Sequence, residues 1–263
     1  MRIRTQYLTQ NACYAAGMTI TPAGVMVHSS GADNPNVCRY VPGDAVIGFN
    51  TGGNHWDQTN EAWRAKFGKP LEKCVHAFVG RFADGGVGTV QTLPWTMRAW
   101  HCGNTAGNDR YIGFELCEDG LDDPAYFAAV YRETVELTAF LCREFSLDPL
   151  MDGTVICHAE GYRRGVASNH GDVLHWFPRH GKTMDDFRAD VAREMEEQMT
   201  EERVRELVRD ELQKMETQRA NLAASPWAKE LLEQAKGRGI TDGTRPQSYA
   251  TRQEVALMVN AVK

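Results

Sequence analysis

The segment TVICHAE at residues 154–160 decides the fold, because it has the form of a buried strand that ends in a histidine. A second segment, GVMVHSS at residues 24–30, has the same form. Asp172 follows His158 by fourteen residues, far enough for a loop to fold back beside the end of the strand. A lone strand-end histidine is more often structural. Together, however, His28, His158 and Asp172 supply three protein ligands, and three ligands with a position left for water are typical of catalytic zinc. We therefore predict that these three residues bind Zn²⁺.

The composition is that of a folded protein with room for one catalytic-size domain and a smaller appendage. Hydrophobic residues make up 42% of the 263 positions and charged residues 24%. No apolar run has the length of a membrane span, so no membrane span is expected. The net charge of −6 argues against general nucleic-acid binding, which favours basic proteins. A carbohydrate or peptide partner is more compatible with this charge.

The cysteines and the N-terminus give an expectation for the compartment. The seven cysteines are odd in number and contain no CxxC pair, which favours reduced, buried side chains over a disulfide framework. Residues 1–10 carry positive charge but lack the apolar core of a secretory signal. We therefore expect the protein to be cytoplasmic on synthesis and to reach any other compartment only after release.

Residues 1–182 alternate short apolar runs with amphipathic segments. The pattern predicts a long helix over residues 124–145, where apolar side chains recur every three or four positions, and a shorter one over 56–67. Strands interleaved with helices predict an α/β fold, with a central mixed β-sheet flanked by helices. The predicted strands are residues 25–28, 74–79, 88–93, 111–117 and 154–157.

Residues 183–222 and 223–263 have a different, helical character. Thr183 and Asp186 predict a capping box that opens a long, highly charged helix, and its later apolar stripe either pairs with another chain or is a solvated spacer. In residues 223–263 two amphipathic segments flank a turn, and Thr251 and Glu254 predict a second capping box. This unit resembles a single S-layer-homology motif, with Trp227 in its first helix and GITDG at residues 239–243 in its turn. The resemblance implies binding to cell-wall polysaccharide. The alternative is a helical hairpin that forms a homo-oligomer through residues 183–263.

Two further segments of the first domain carry polar groups suited to a site. Glu115 lies within the apolar run YIGFEL at residues 111–116, where a charge is costly unless a metal, a proton or hydrogen bonds compensate it. Trp100 and His101 lie in a loop that contains glycine and that is suited to lining a groove.

Six short motifs, in this order and spacing, resemble the zinc-dependent N-acetylmuramoyl-L-alanine amidases, the superfamily that includes phage endolysins and peptidoglycan-recognition proteins. Each motif alone is weak, and the likeness depends on the series, which covers roughly residues 23–191. The motifs are VHS at 27–29, VHAF at 75–78, AWHCG at 99–103, IGFE at 112–115, CHAE at 157–160 and HGD at 170–172.

The resemblance implies roles for individual residues. It implies His28, His158 and Asp172 as the zinc ligands and Glu115 as the carboxylate that activates the attacking water. Two positions depart from the pattern: Val75 stands where some branches have tyrosine, and His170 stands where lysine is frequent. We infer that His170 stabilises the oxyanion instead.

Other residues have two interpretations each. His76, Trp100 and His101 are predicted to contact substrate, although both histidines also suit a supporting position behind the ligands. Trp100 and Trp176 suit stacking on sugar or packing in the core. Glu115 has the alternative of pairing with Arg110 or orienting a ligand histidine.

The implied function is endolysin-type hydrolysis of the amide bond between N-acetylmuramic acid and L-alanine in bacterial peptidoglycan. Three alternatives stay open at this point: a non-catalytic peptidoglycan-binding module, a cytoplasmic amidase of wall recycling, and an assembly protein dominated by its tail. The presence of all three ligands and of Glu115 favours an enzyme.

Overall fold

A six-stranded mixed sheet forms the centre of the first unit. The computed structural model describes residues 1–260, apart from the side chains of residues 198–200 and 202. The strand order is β1-β4-β3-β5-β2-β6, and β3 and β4 are antiparallel while the other neighbours are parallel. The predicted α/β class with a mixed central sheet is confirmed. The strands are β1 (Ile3–Thr5), β2 (Gly24–Asp33), β3 (Ala77–Arg81), β4 (Val87–Gln91), β5 (Tyr111–Glu118) and β6 (Val155–Cys157).

The two faces of the sheet have different chemistry. Side chains alternate between the faces of a strand. Val25 and Val27 of β2, with Ile112 and Phe114 of β5, therefore face the main hydrophobic core. The residues between and after them, including His28 and Glu115, point to the opposite face. This second face carries the candidate site.

Helices flank the sheet and close its core. Helix α4 (Pro124–Glu144) begins where Asp123 accepts hydrogen bonds from the backbone of Ala125 and Tyr126, and it packs an apolar face on the sheet. The predicted helix over residues 124–145 is therefore confirmed. The other helices of the first unit are α1 (Ala12–Ala16), α2 (Asn60–Phe67), α3 (Thr105–Asn108) and α5 (His158–Arg163), with 3₁₀ turns at Val37–Arg39 and Phe177–His180.

One cysteine pair departs from the expected reduced set. Cys13 and Cys74 form a disulfide, whereas Cys38, Cys102, Cys117, Cys142 and Cys157 are free. The two bonded residues are 61 positions apart, one in α1 and one in the loop before β3. No spacing motif marks them, so the expectation of seven reduced cysteines is wrong for this pair.

Helix α6 (Met184–Asn221) extends beyond the first unit. The first compact unit spans Met1–Glu197, so it ends 15 residues after residue 182, where the sequence places the end of the first domain. The reason is that Phe187 and Val191 of α6 are fully buried in the main core. The predicted capping box is confirmed, because the Thr183 hydroxyl accepts from the backbone N–H of Asp186 and the Asp186 carboxylate accepts from the backbone N–H of Thr183.

The second compact unit begins at Gln198 and contains α7 (Lys229–Gly237) and α8 (Arg252–Asn260). The predicted capping box of Thr251 and Glu254 is confirmed at the start of α8. No described side chain of this unit is buried, and Trp227, Tyr249 and Leu257 are among the most exposed apolar side chains. Residues 261–263 of the predicted C-terminal motif lie outside the described part. Within that part, every helix is too short or too polar to span a membrane.

Candidate metal centre and active site

Three elements bring the predicted ligands together. His28 lies on β2, His158 is the first residue of α5 directly after β6, and Asp172 lies in the loop that follows α5. The backbone N–H of Ala159 donates to the carbonyl oxygen of Asp172 at 3.2 Å, which ties that loop to the start of α5. Because β6 is the parallel neighbour of β2, both histidines reach the same region of the sheet.

The ligand atoms have the spacing of a tetrahedral site. Nδ1 of His28 lies 2.9 Å from Nδ1 of His158, and Oδ2 of Asp172 lies 3.3 Å and 3.6 Å from these two nitrogens. Ligands bound at about 2.0–2.1 Å to a tetrahedral zinc ion are roughly 3.3 Å apart. Within the part of the chain that the structure describes, these three residues form the one cluster of potential ligands close enough to share an ion.

Hydrogen bonds determine which nitrogen of His28 is free. His101 Nε2 lies 3.1 Å from the carbonyl oxygen of Tyr111, which can only accept, so we assign the His101 proton to Nε2. His101 Nδ1 then accepts from Nε2 of His28 at 2.8 Å. This leaves a lone pair on His28 Nδ1, the atom that faces Asp172.

His158 is oriented in the same way by a serine. The hydroxyl of Ser168 donates to the carbonyl oxygen of Cys102 at 3.2 Å and accepts from Nε2 of His158 at 3.2 Å. His158 Nδ1 therefore also carries a lone pair, directed at that of His28. Two lone pairs 2.9 Å apart repel each other unless a cation lies between them. The donor set of two imidazoles and one carboxylate therefore fits a zinc ion.

The surroundings keep the imidazole of His158 in the metal-binding form. Burial, together with the nearby His28, lowers the pKa of His158 to about 4, and burial lowers the pKa of His101 well below its usual value. Burial opposes ionisation of Asp172, but the adjacent imidazoles of His28 and His158 lower the pKa of this carboxyl overall. The surroundings thus favour a neutral His158 beside the carboxylate of Asp172 at neutral pH.

Glu115 lies beside the ligands on the neighbouring strand. It is in register with His28 across the β2–β5 pair, so both side chains project to the same face. Burial raises the pKa of Glu115 to about 7, and the charge of Asp172 adds to this effect. Its Oε2 atom is buried without a hydrogen-bond partner among the described residues, so the alternative pairing with Arg110 is not seen. A carboxyl group in this state is suited to accepting and returning a proton at neutral pH.

The other predicted site residues have distinct positions. His170 is exposed at the mouth of the site, with its Nδ1 atom 3.0 Å from the Ser168 hydroxyl and its ring centroid 4.7 Å from that of His158. His76 is fully buried and hydrogen bonds to the backbone of Met97 and Gly113, and this burial argues against the predicted contact with substrate.

Trp100, His101 and Trp176 show which of their two interpretations the structure favours. His101 supports His28 from behind. Trp100 is half-buried against the small cluster around Cys13 and Cys74. Trp176 has no exposed surface and packs in the main core, which excludes stacking on sugar in this structure.

The support of His28 by His101 depends on a glycine that the sequence reasoning did not single out. A Cβ atom at Gly113 would lie 2.2 Å from Nδ1 of His101, so only glycine leaves room for that ring on β5. A glycine inside an otherwise apolar strand is a signal of such a close approach, and it could have been found in the sequence. Ser168, in contrast, carried no signal of this kind.

A bidentate ion pair holds α5 against α6. Arg188 of α6 donates to both carboxylate oxygens of Glu160, each at 3.1 Å, and Glu160 accepts from the backbone N–H of Cys157. Because His158 follows Cys157 directly, this pair fixes the turn that presents the ligand.

The sheet and the helices together define an α/β fold in which three potential metal ligands converge beside the carboxyl of Glu115. Residues 18–174, more than half of the chain, match the family model of the N-acetylmuramoyl-L-alanine amidases. The chain belongs to this family. No curated protein sequence matches the chain.

Several solved structures are similar to the chain. The hydrolase AmiA of Staphylococcus aureus, solved in complex with its ligand, is 19% identical to this chain, with a TM-score of 0.52. The matched region covers 76% of this chain and 86% of the AmiA chain. PlyL is 18% identical over 73% of this chain and 97% of its own, with a TM-score of 0.47. An AmpD derivative is 21% identical over 72% and 94%, with a TM-score of 0.43. At these identities the likeness to AmiA shows the fold alone.

Proposed function

We propose that the chain is a zinc-dependent hydrolase that cleaves the amide bond between N-acetylmuramic acid and L-alanine of peptidoglycan. The observation that carries the proposal is the convergence of His28, His158 and Asp172 beside the buried carboxyl of Glu115, in a chain of the amidase family. When bound, zinc supplies Lewis-acid polarisation of the amide carbonyl and increases the acidity of the attacking water.

The chain's own residues then handle the proton and the developing charge. Glu115 accepts the proton of the attacking water and delivers it to the departing amino group of L-alanine, which its pKa of about 7 permits. His170, at the exposed mouth of the site, donates a hydrogen bond to the oxyanion that forms from the amide oxygen. His101 and Ser168 hold the two ligand imidazoles in the required tautomers.

The test is release of new L-alanine amino groups from purified peptidoglycan. We expect the release to stop with a chelator and to return with zinc. Glu115→Gln should bind zinc and lose roughly 10²- to 10⁴-fold in turnover. Glu118→Gln is the matched control, because Glu118 lies on the same strand, is buried and pairs with His175 away from the ligands.

Two outcomes would contradict this proposal in different ways. Full turnover by Glu115→Gln would remove Glu115 from the mechanism. Binding to peptidoglycan without any release of amino groups would identify the second candidate, a non-catalytic binding module. The intact set of ligands together with Glu115 favours the enzyme over that module.

We further propose an endolysin-type role, in which the enzyme is made in the cytoplasm and acts on the cell wall after release. The second unit supports this role, because an enzyme of cytoplasmic wall recycling has little use for a surface-binding tail. Its exposed apolar side chains, including Trp227 and Tyr249, suit either binding of wall polysaccharide by an S-layer-homology-like motif or formation of a homo-oligomer.

Ending the chain at Glu197 separates the role of the tail from catalysis. Cleavage of a soluble muropeptide should be unchanged, while retention on the cell wall or the mass in solution should fall. If neither retention nor mass changes, both proposed roles of the second unit are wrong.

A further inference from the structure

A pocket of about 310 Å³ opens beside Glu115 on the face of the sheet that carries the ligands. Ser30 of β2 contributes to its wall, two residues after the ligand His28 and on the same side of the strand. Two residues of a strand span roughly 7 Å. The pocket therefore lies within reach of a substrate held at the ion site. The main lining residues are Arg39, Tyr40, Trp56, Trp63, Lys73 and Glu115.

The floor of the pocket is rigid and aromatic. Tyr40 stacks on Phe78 with ring centroids 4.4 Å apart, and Trp56 meets Phe78 edge-on at 5.1 Å. All three rings are buried in one cluster. Packed rings of this kind cannot turn aside, so they offer a fixed apolar surface to the methylene groups of a ligand.

Two positive charges lie over this floor without a direct ion pair, and the nearby carboxyl of Glu115 interacts with Lys73 only through space. The ammonium nitrogen of Lys73 is 4.7 Å from the centre of the Trp56 ring, and the guanidinium carbon of Arg39 is 5.8 Å from that of Tyr40. Both residues line the pocket. Within the described part of the chain, neither side chain makes a hydrogen bond or an ion pair with a carboxylate.

The arrangement favours an anionic ligand over a neutral sugar. A sugar would use the aromatic floor but leave both cations without a partner. A carboxylate satisfies them, and an arginine fork suits its two oxygens. The side chain of Glu115 faces the same pocket but is needed at the reacting bond, so it does not serve as the counter-ion in our mechanism.

We propose that this pocket is the subsite for a carboxylate of the stem peptide, bound between Arg39 and Lys73, with the carbon chain of that residue on Tyr40 and Trp56. The inference rests on the proposed amidase function. It makes Arg39 and Lys73 specificity-determining residues that distinguish a stem peptide with a free carboxylate next to L-alanine from one in which that group is an amide.

The test compares two soluble substrates that differ in one group. Both consist of N-acetylmuramic acid, L-alanine and a D-glutamyl residue, whose α-carboxylate is free in one and amidated in the other. The zinc-loaded chain should have a higher kcat/KM for the free acid by roughly 10- to 100-fold, as expected for hydrogen bonds to a charged group. In Arg39→Gln and in Lys73→Gln, the ratio of kcat/KM for the free acid to kcat/KM for the amide should fall towards one.

A matched control removes a cation elsewhere. Arg132 is exposed on α4 and is not among the residues that line the pocket, so Arg132→Gln should keep the full preference. Arg39→Lys should retain part of the preference, because the charge stays and the fork is lost. An unchanged thermal unfolding midpoint for each variant separates a lost ligand contact from a damaged fold.

A binding measurement keeps this proposal distinct from the proposed function. Calorimetry compares the affinities of two dipeptides of L-alanine and a D-glutamyl residue, one with a free and one with an amidated α-carboxylate, neither of which contains the bond to be cleaved. If neither muropeptide is cleaved, the amidase function fails, and the calorimetric preference for the free acid still decides the subsite. Equal rates and equal affinities for acid and amide would overturn the subsite while leaving the amidase intact. If Arg39→Gln and Lys73→Gln lower kcat/KM equally for the acid and for the amide, the subsite is also overturned. That result would indicate a neutral sugar in the pocket.

Discussion

Replacing Gly113 with alanine should weaken zinc binding without touching any ligand. The new Cβ atom would lie 2.2 Å from Nδ1, 2.4 Å from Cγ and 2.5 Å from Cε1 of His101. The ring must therefore move by about 1.2 Å, the difference between 2.2 Å and an ordinary contact of 3.4 Å. A shift of that size breaks the 2.8 Å hydrogen bond from His28 Nε2, which holds His28 Nδ1 ready for the metal.

The expected loss is about 10- to 100-fold in zinc affinity, as is typical when the partner of a ligand histidine is lost. Competition with a chelator of known affinity measures it. Gly171→Ala is the matched control, because Gly171 precedes the ligand Asp172 and a Cβ atom there meets nothing within 4 Å. That variant should bind zinc as the unchanged chain does.

A double-mutant cycle separates the clash from general damage to the strand. In a His101→Ala background the clash is gone, so adding Gly113→Ala should cause little further loss of affinity or stability. The reasoning is refuted if Gly113→Ala binds zinc with unchanged affinity, or if its effect is as large without the His101 ring as with it.

Three further predictions concern the charge of Glu115, the disulfide and His170. Burial raises the pKa of Glu115 from 4.5 to about 7, so the folded state binds the proton more tightly and the free energy of unfolding of the metal-free chain falls as pH rises from about 4.5 to 7. Glu115→Gln should remove about 3 kcal/mol of that fall, measured as the difference between the urea-unfolding free energies of the two chains across this pH range. The same pH dependence in both chains would contradict the prediction. Opening the disulfide of Cys13 and Cys74, which closes a loop of 61 residues, should lower the free energy of unfolding by about 4 kcal/mol, and reductant should have no effect on a chain with alanine at both positions. His170→Ala should lower kcat with little change in zinc affinity, because His170 is not a ligand; loss of zinc in that variant would show that it holds the metal site instead.

Much of the architecture could be predicted from patterns of short range. The five strands β2 to β6, helix α4 and both predicted capping boxes follow from periodicity and from the residues at element ends. The strand β1 is not predicted because all of its residues are exposed, so it has no buried face to create a pattern; β6 is equally short but fully buried. Helix α2 begins at Asn60 and not at Trp56, since Thr59 provides the N-cap.

Features that depend on contacts distant in sequence could not be predicted. The pairing of Cys13 with Cys74 and the support of His28 by His101 arise only when separate loops pack on the sheet. The same is true of the unpaired cations Arg39 and Lys73, which two different loops bring to one pocket. His28 and His158 could be singled out because each follows an apolar run that predicts a strand, whereas a supporting residue has no such local pattern.

The most direct test of the central claim is the zinc content of the purified chain, measured on the same samples as the release of L-alanine amino groups. The unchanged chain should bind one zinc ion, and His28→Ala, His158→Ala and Asp172→Ala should each lose both the ion and the activity. His175→Ala, which removes an imidazole outside the ligand set, should keep both. If the three ligand variants retain zinc and activity, these residues do not share a metal ion and the proposed mechanism is wrong.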